Sequence, residues 1–524
     1  MADEIVPPKD YSSAIDHPEY SRQWRDAVTD ELEKLFGLGT FEYTELPPGK
    51  ETVDTKWVFT IKSTPTGLVD RFKARLVARG FSQRAGDDFW ETFSPTVRYE
   101  SVRMILAIAC AEDLEVHQAD VDTAYPRAEL HAEVYVRKID GITLPANKVL
   151  RVRKAFYGLK QAGREWYIEA CNTLANLGLQ PVFNDPSVFI NTDKSLVVGL
   201  FVDDMIIAAK TLDAVEEFKK SFGSIHKIKD LGEIHRYLGL TITRDRAKRT
   251  LCISQESFTK KLADEYLSPG DYTCPTPVSN RENLTKAKLN EPRADIAQYQ
   301  KAIGSLMYLQ RGTRIDIAFI VCRLAQFCID PTIRHWNALL RVLRYLKGTL
   351  SYCIMYGRYG RLEVRLCGFS DSDYAGDPED RLSTYGHIFT LCRGPISWTS
   401  KKQRSVSTST TEAEYVALCQ AGKQAVWSRG LLRELGHTDL LESKFTVPIS
   451  CDNEAAIRLA ENPENHARSK HIDVQFHYIR QLVAYNYIRI EFCPSTHMVA
   501  DVLTKPLSKR LFGNCIRELL YTGR

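Results

Sequence analysis

Two adjacent carboxylates, Asp203 and Asp204, interrupt an otherwise apolar run, LVVGLFVDDMIIAA. Ionised groups in such a setting are costly to bury unless they are paired or bound to cations. An Asp-Asp pair at a hairpin tip is also what an ordinary solvated turn carries. A third carboxylate, Asp120, closes another apolar strand in VHQADVDTAY and turns the pair into a candidate site. Three carboxylates at strand ends of one sheet form a hard-oxygen set suited to two Mg²⁺ ions about 4 Å apart, as in-line phosphoryl transfer requires. The C-terminal part repeats the logic with four. Asp371 ends the strand VRLCGFS, Glu412 opens the helix TEAEYVALCQAGKQAVW, Asp452 follows TVPIS, and Asp501 opens ADVLTKPL. Such a set builds a two-metal nuclease site on a mixed sheet. Each residue also has a plainer reading: Ser409 to Glu412 (STTE) fits a capping box, Asp452 can cap NEAAIRLAEN, and Asp501 can cap its own segment.

These residues need elements to hold them. Residues 20–38 carry Trp24, Val28, Leu32, Leu35 and Phe36 at helical spacing. WVFTIK, a TPTG turn and RFKARLVARGF predict a hairpin, with Lys56, Lys62, Arg71, Lys73, Arg75, Arg79 and Arg84 against Asp70. That hairpin faces a polyanion or is an ordinary exposed one. SVRMILAIACA predicts a buried helix, Gly163 to Gly178 another, and LVVGLFVDDMIIAAK a strand, a two-residue tip and a strand. Residues 268–293, rich in Pro, Asp, Asn and Lys, read as a linker, and Tyr299 to Gly348 as mostly helical. A new unit opens near Leu362, and a short helix closes the chain. With 524 residues the chain holds about three or four units. Its 44% hydrophobic and 26% charged residues, with 29 Gly and 22 Pro, exclude disorder and fibrous repeats. The net charge of +4 makes any nucleic-acid surface local. The longest apolar run is too short for a membrane span, the start MADEIVPPKD has no signal-peptide character, and 13 Cys without zinc spacing read as reduced intracellular thiols.

WVFTIK, KARLVARGFSQ, ETFSP, HQADVDTAY, YGLKQAGREWY and FVDD closely resemble, in order and spacing, the reverse transcriptase of copia-type LTR retrotransposons. The resemblance runs from about Trp24 to the C-terminus. It implies that Asp120, Asp203 and Asp204 bind metal and that Tyr125 is the aromatic gate under the incoming sugar. It also implies that Lys73 or Arg75 is the cation on the triphosphate, and that Tyr157, Gly158, Leu159 and Lys160 pack against the nascent base pair and template. Tyr237 to Thr243 (YLGLTIT) is similar to a primer grip. Where the family has Leu-Asn-Gly after the gate, Pro126, Arg127 and Ala128 stand here, and Pro126 is expected to tilt the gate by fixing φ and deleting an N–H. Phe201 replaces the family tyrosine before VDD. FSDSDYAGD, ISWTSKKQ, STSTTEAEY, CDNEAAI and KHID resemble the ribonuclease H domain that follows in these elements, with Asp371 preferred to Asp373 as its first ligand.

The implied fold is α+β and α/β multidomain: a right-hand polymerase of fingers, palm and thumb, then a ribonuclease H-like mixed sheet. The expected division is 20–270 for fingers and palm, 271–360 for a helical thumb or connection, 361–507 for the nuclease and 508–524 for a tail. The implied activity is RNA-directed DNA polymerase with hybrid endonuclease activity, with Mg²⁺, or Mn²⁺ in its place, two per site. Its implied partners are RNA template, DNA primer, RNA:DNA hybrid and dNTPs, with no membrane. The basic run SWTSKKQR, with Trp398, is expected on the hybrid backbone or on a solvated hairpin. His466, His471 and His477 fit no zinc set and are expected to be structural or to contact phosphate. Such an element encodes capsid, protease and integrase upstream, so the chain reads as a polyprotein fragment, a decayed reading frame or a host-retained piece. The rival functions are a catalytically silent nucleic-acid binder and a ribonuclease H acting alone.

Overall fold

The computed structural model describes residues 5–64, 68–279, 284–357, 362–442, 445–461 and 473–523. The chain opens with α1 (Tyr11–Ile15) and the amphipathic α2 (Ser21–Gly37), which buries Trp24, Val28 and Leu35. Strands β1 (Phe41–Thr44) and β2 (Thr52–Val53) lead into the basic hairpin of β3 (Thr55–Ser63) and β4 (Val69–Ala78). Helix α3 (Tyr99–Glu112) follows. Residues 101–110 are all buried, mostly apolar side chains with Ser101 and Arg103 among them. Asp113, left-handed at φ +56°, ends it with its N–H on the Ala109 carbonyl. Next come β5 (Glu115–Val121), β6 (Glu129–Val136), β7 (Val149–Lys154), α4 (Ala162–Asn176), β8 (Leu179–Pro181), β9 (Val188–Asn191), β10 (Leu196–Phe201), β11 (Asp204–Ala209), α5 (Leu212–Ile225) and β12 (Ile228–Glu233). Then follow β13 (Arg236–Tyr237), β14 (Leu240–Asp245), β15 (Thr250–Ser254), α6 (Glu256–Tyr266), α7 (Ile296–Gly312), α8 (Ala318–Ala325), α9 (Ile333–Lys347) and β16 (Ile354–Gly357). The last stretch holds β17 (Cys367–Ser372), β18 (Thr384–Leu391), β19 (Gly394–Lys402), α10 (Thr410–Leu435), β20 (Val447–Cys451), α11 (Glu454–Glu461), α12 (Asp473–Ala484), β21 (Ile488–Phe492) and α13 (Lys509–Leu519).

One six-stranded sheet has the order β12-β5-β11-β10-β9-β8. Its strands β10 and β11 are buried on both faces, which splits the core by residue parity. Met205, Ile207 and Ala209 face one cluster with α2, α4, α5 and the fingers hairpin. Ile206 and Ala208 face another that runs through α3, α7–α9 and on into the C-terminal unit. In that unit the sheet order is β19-β18-β17-β20-β21, with β17, β18 and β19 antiparallel and β17, β20 and β21 parallel. The chain is therefore, as expected, a mixed α and β one with several sheets, the last of them a mixed five-stranded sheet.

Three expectations need revision. Residues 268–293 carry no helix or strand among the described residues, yet they are not a free linker: Arg334 on α9 binds Glu291 (2.9 Å) and the Thr285 carbonyl (3.0 Å). The tail returns to the helical segment, with Phe512 on α13 5.7 Å from Tyr345 and Tyr521 bridging backbone to Cys353. Not every thiol is reduced: Cys252 and Cys353 form a disulfide, because β15 and β16 pair with Cys252 opposite Met355 and bring Cys353 alongside. Among the described residues, no helix is long and apolar enough to cross a membrane.

Two candidate carboxylate sites

The first cluster is built by three neighbouring strands. β5 lies between β11 and β12, with Asp120 directly opposite Asp204 on one side and Lys229 on the other. The hairpin tip is Val202–Asp203, because Phe201 already pairs with Asp204. Asp204 thus belongs to the strand and Asp203 to the turn. Val202 sits at φ +56°, a conformation that a β-branched residue adopts only at a cost. Three bonds hold the tip: Trp166 Nε1 donates to the Val202 carbonyl (2.7 Å), Val121 N–H to that of Asp203 (2.8 Å), and the Tyr237 hydroxyl to that of Asp204 (3.4 Å).

Asp120, Asp203, Asp204, Lys73, Arg75 and Tyr157 line one cavity of 560 Å³. Burial, then the nearby Asp203, pushes Asp120 above the carboxylate range, and burial, Asp203 and Asp120 push Asp204 up to about 6. Burial and the cations Arg75 and Arg71 hold Lys73 below the usual lysine range. The cavity thus gathers acids and cations together, with Lys229 beside Asp120 and Arg71, Lys73 and Arg75 of the hairpin lining it as well. Tyr125 stands edge-on to Tyr157 with ring centres 4.8 Å apart, and the Arg75 guanidinium lies 5.2 Å over the Tyr157 ring. Pro126 is buried in the first turn of a short 3₁₀ segment, Tyr125–Arg127, where its missing N–H costs nothing.

Gly158 and Lys160 tie their segment to the end of the β3–β4 hairpin and the turn after it. Gly158 has φ +90°, and a Cβ there would lie 2.2 Å from the Ala78 carbonyl oxygen, so only glycine fits where β4 ends. Lys160 donates from its N–H to Gln83 Oε1 (2.8 Å) and from Nζ to the Gln83 carbonyl (3.3 Å), with Nζ 4.7 Å from the Phe89 ring centre.

The second cluster brings Asp371, Asp452 and Asp501 together, with ligand oxygens within 4.8 Å of one another. The expected glutamate is not among them. The Glu412 carboxylate accepts from the Thr408 N–H (2.8 Å) and hydroxyl (2.6 Å), while its own N–H is capped by Ser409 Oγ (3.2 Å). Glu412 is thus held in the first turn behind the N-cap Ser409, and Glu414 takes its place in the site, beside Cys451 and Asp452. Its Oε1 accepts from Ser372 N–H (3.2 Å), and burial, Asp371 and Asp452 push it up to about 9. Burial and Asp371 push Asp501 up to about 7, and burial raises Asp371. Asp373 turns away to the β17–β18 loop, where it accepts from the Thr384 N–H.

The sequence reading missed two further residues here. Lys505 Nζ lies 2.9 Å from Asp501 Oδ1 and 3.6 Å from Asp371 Oδ2, and Thr504 Oγ1 donates to Asp371 Oδ2. Both stand in the TKPL run beside Asp501, a basic and a hydroxyl residue next to a candidate ligand. Asp371 Oδ1 and Glu414 Oε2 are buried without a hydrogen-bond partner. Orphaned carboxylate oxygens converging with raised pKa values fit a divalent cation. In the SWTSKKQR run, Trp398 is buried rather than presented to a ligand. Its Nε1 donates to the Gln310 carbonyl (2.8 Å) and Arg103 stacks on it at 3.9 Å. Lys401, Arg404 and Lys423 line a separate cavity of 350 Å³. His466 and His471 lie outside the described residues, and His477 is on α12.

Residues 38–280 match the family described as reverse transcriptase (RNA-dependent DNA polymerase). Over 523 residues, 98% of this chain, the sequence is 36% identical to the retrovirus-related Pol polyprotein from transposon TNT 1-94 of Nicotiana tabacum, of which it covers 39%. Over 502 residues, 94% of this chain, it is 37% identical to that from transposon RE1 of Arabidopsis thaliana, of which it covers 33%. The chain thus spans roughly a third of the length of such curated relatives. Among solved structures, it is similar to the foamy viral protease-reverse transcriptase in complex with RNA/DNA hybrid, at 12% identity and a TM-score of 0.45, over 93% of this chain and 55% of that one. It is also similar to LC11-RNase H1 isolated from compost, at 19% identity and a TM-score of 0.21, over 27% of this chain and 94% of that one.

Proposed function

We propose that this chain, whose residues 38–280 match the reverse transcriptase family and which is 36–37% identical over most of its length to retrovirus-related Pol polyproteins from transposons, is an RNA-directed DNA polymerase with a second, hybrid-cleaving nuclease site. One observation carries the reading: Asp120, Asp203 and Asp204 share one cavity with Lys73 and Arg75, while a separate acid cluster stands on another sheet. In the polymerase site, Asp120, Asp203 and Asp204 would hold the metal pair, and in the nuclease site Asp371, Glu414, Asp452 and Asp501 would. Magnesium bound there supplies Lewis-acid activation of the attacking oxygen and charge neutralisation on the leaving group. The chain's own residues do the positioning. Lys73 and Arg75 hold the triphosphate, Tyr125 braced by Tyr157 excludes a 2′ hydroxyl, and the Tyr157–Lys160 segment supports the template side. The partners are RNA template, DNA primer, the hybrid and dNTPs. The division of labour is 20–270 for fingers and palm, 271–360 for the helical segment and 361–507 for the nuclease, with 508–524 packed back on the helices.

The test is extension of a DNA primer on RNA with and without Mg²⁺, alongside cleavage of a labelled hybrid. Metal-dependent activity in both assays is expected. A chain that binds primer-template yet does neither under any condition is a silent nucleic-acid-binding remnant.

A further inference from the structure

The segment that carries Asp501 is pinned where it crosses the second acid cluster. The Asp501 carbonyl accepts from the Thr504 N–H (3.2 Å), the Thr504 hydroxyl (3.2 Å) and the Lys505 N–H (3.3 Å). Ser400 Oγ on β19 donates to the Leu503 carbonyl (2.6 Å). Gly386, opposite Asp371 on β18, gives the segment room, since a Cβ there would stand 2.6 Å from Leu503 Cβ and 3.0 Å from Thr504 Cγ2. Pro506 follows and fixes its own φ. The backbone is therefore held, and the part that can swing is the four-carbon stem of Lys505, whose side chain is 36% exposed.

That ammonium stands where a cation belongs. Its Nζ is 2.9 Å from Asp501 Oδ1 and 3.6 Å from Asp371 Oδ2, and among the described residues it is the one cation within ion-pair distance of the cluster's carboxylates. It satisfies the site only in part. An ammonium has three donors, and with this one in place Asp371 Oδ1, Glu414 Oε2 and Asp501 Oδ1 still lack an aligned hydrogen bond. A magnesium ion draws on more oxygens at about 2.1 Å, so ion and ammonium compete for the same acids. We propose that Lys505 is the resident counter-ion of this cluster: it holds Asp371, Glu414, Asp452 and Asp501 together before metal binds and competes with the metal, and so sets the Mg²⁺ concentration at which hybrid cleavage begins. It is a positioning residue, acting through the carboxylates. The inference rests on the reading of this cluster as a metal-dependent nuclease site.

The test uses the full chain carrying Asp203→Asn and Asp204→Asn, so that Mn²⁺ titrated by calorimetry reports the second cluster. This parent is compared with two neutral variants, Lys505→Met and Lys505→Gln, and with Lys505→Arg, which keeps the charge. Removing a unit charge within about 4 Å of a bound ion is worth a decade of affinity or more where water is partly excluded. The neutral variants should therefore bind Mn²⁺ about tenfold more tightly and reach half-maximal hybrid cleavage at about a tenfold lower Mg²⁺ concentration. In chelator they should melt below the parent, and excess Mn²⁺ should raise their melting temperature by more than it raises the parent's. Lys505→Arg should stay within about twofold of the parent in Mn²⁺ affinity. A neutral variant that melts lower by the same amount with and without Mn²⁺, at unchanged affinity, makes Lys505 a structural ion pair and overturns the counter-ion. A folded parent that binds no Mn²⁺ overturns instead the reading of the cluster as a metal site, and the competition with it.

Discussion

Glu412 and Glu414 stand two places apart on α10, and at 3.6 residues per turn this sends them to nearly opposite faces. Ser409 caps the helix, so Glu412 falls in the first turn and turns back to Thr408. Glu414 then points at the sheet. Counting from the cap is the signal in the sequence that separates them, and it was there to be read in STTEAE. The expected result is that Glu414→Gln abolishes hybrid cleavage while leaving primer extension near wild type. Glu412→Gln should keep both activities and lose at most about 1 kcal/mol of stability through its cap. Cleavage by the Glu414 variant would return that residue to a structural role. Acidity gives a second check. A carboxyl whose folded pKa is raised, as Glu414 is from 4.5 to about 9, contributes stability that is fully present below its unfolded pKa and lost as pH rises through the folded one. With a chelator present, the melting temperature of Glu414→Gln relative to wild type should therefore improve steadily from about pH 5 to 9. A flat difference would mean that the carboxyl is not confined among acids. At the palm, Asp204→Asn should stop extension while the fold is kept, read by primer extension and circular dichroism together.

At the scale of elements, periodicity carried the reading well where one element buries one face. The helices near 21–37 and 99–112, the basic hairpin and the apolar β10–β11 pair all stand where their patterns put them. What periodicity lacks is adjacency. Nothing local says that β5 lies between β11 and β12, or that β16 pairs with β15 across the whole helical segment. The turn was also misplaced by a residue: the pattern suggests a tip of two aspartates, whereas Val202 occupies the strained first position and Asp204 is in the strand. Such strain costs on the order of 1–3 kcal/mol and leaves no trace in composition. A further prediction belongs at this scale. Gly158 is where the end of β4 crosses the Tyr157–Lys160 segment, and Lys73 and Arg75 sit on that same strand. Gly158→Ala must push the crossing open, so the KM for dNTP should rise about tenfold, equivalent to about 1.4 kcal/mol. Hybrid cleavage, on the other sheet, should be unchanged. Equal loss of both activities would make the glycine a requirement of the whole fold rather than of this joint.

For the whole molecule, composition shifts at 268–293 and near Leu362 suggest breaks between units, yet one apolar cluster runs without interruption from α3 through α7–α9 into the nuclease sheet and α10. Composition sees where polar residues concentrate along the chain. It does not see that Arg334 ties the 268–293 stretch to α9, or that Tyr356 hydroxyl reaches the Pro395 carbonyl (2.9 Å) across the last supposed boundary. The two candidate carboxylate sites therefore stand on sheets joined by one apolar cluster. The consequence is testable with a substitution that touches neither site. Leu106 on α3 is fully buried in the shared cluster, and Leu106→Ala deletes its side chain at a cost of about 2–5 kcal/mol. If the units folded separately, the loss would fall on the polymerase and the nuclease would keep its own melting point. With a common core, the variant should unfold in a single calorimetric transition at a lower temperature, and extension and hybrid cleavage should disappear together on heating. Two resolved transitions, or hybrid cleavage surviving at temperatures where extension is gone, would show that the shared cluster is contact between independent units rather than one cooperative core.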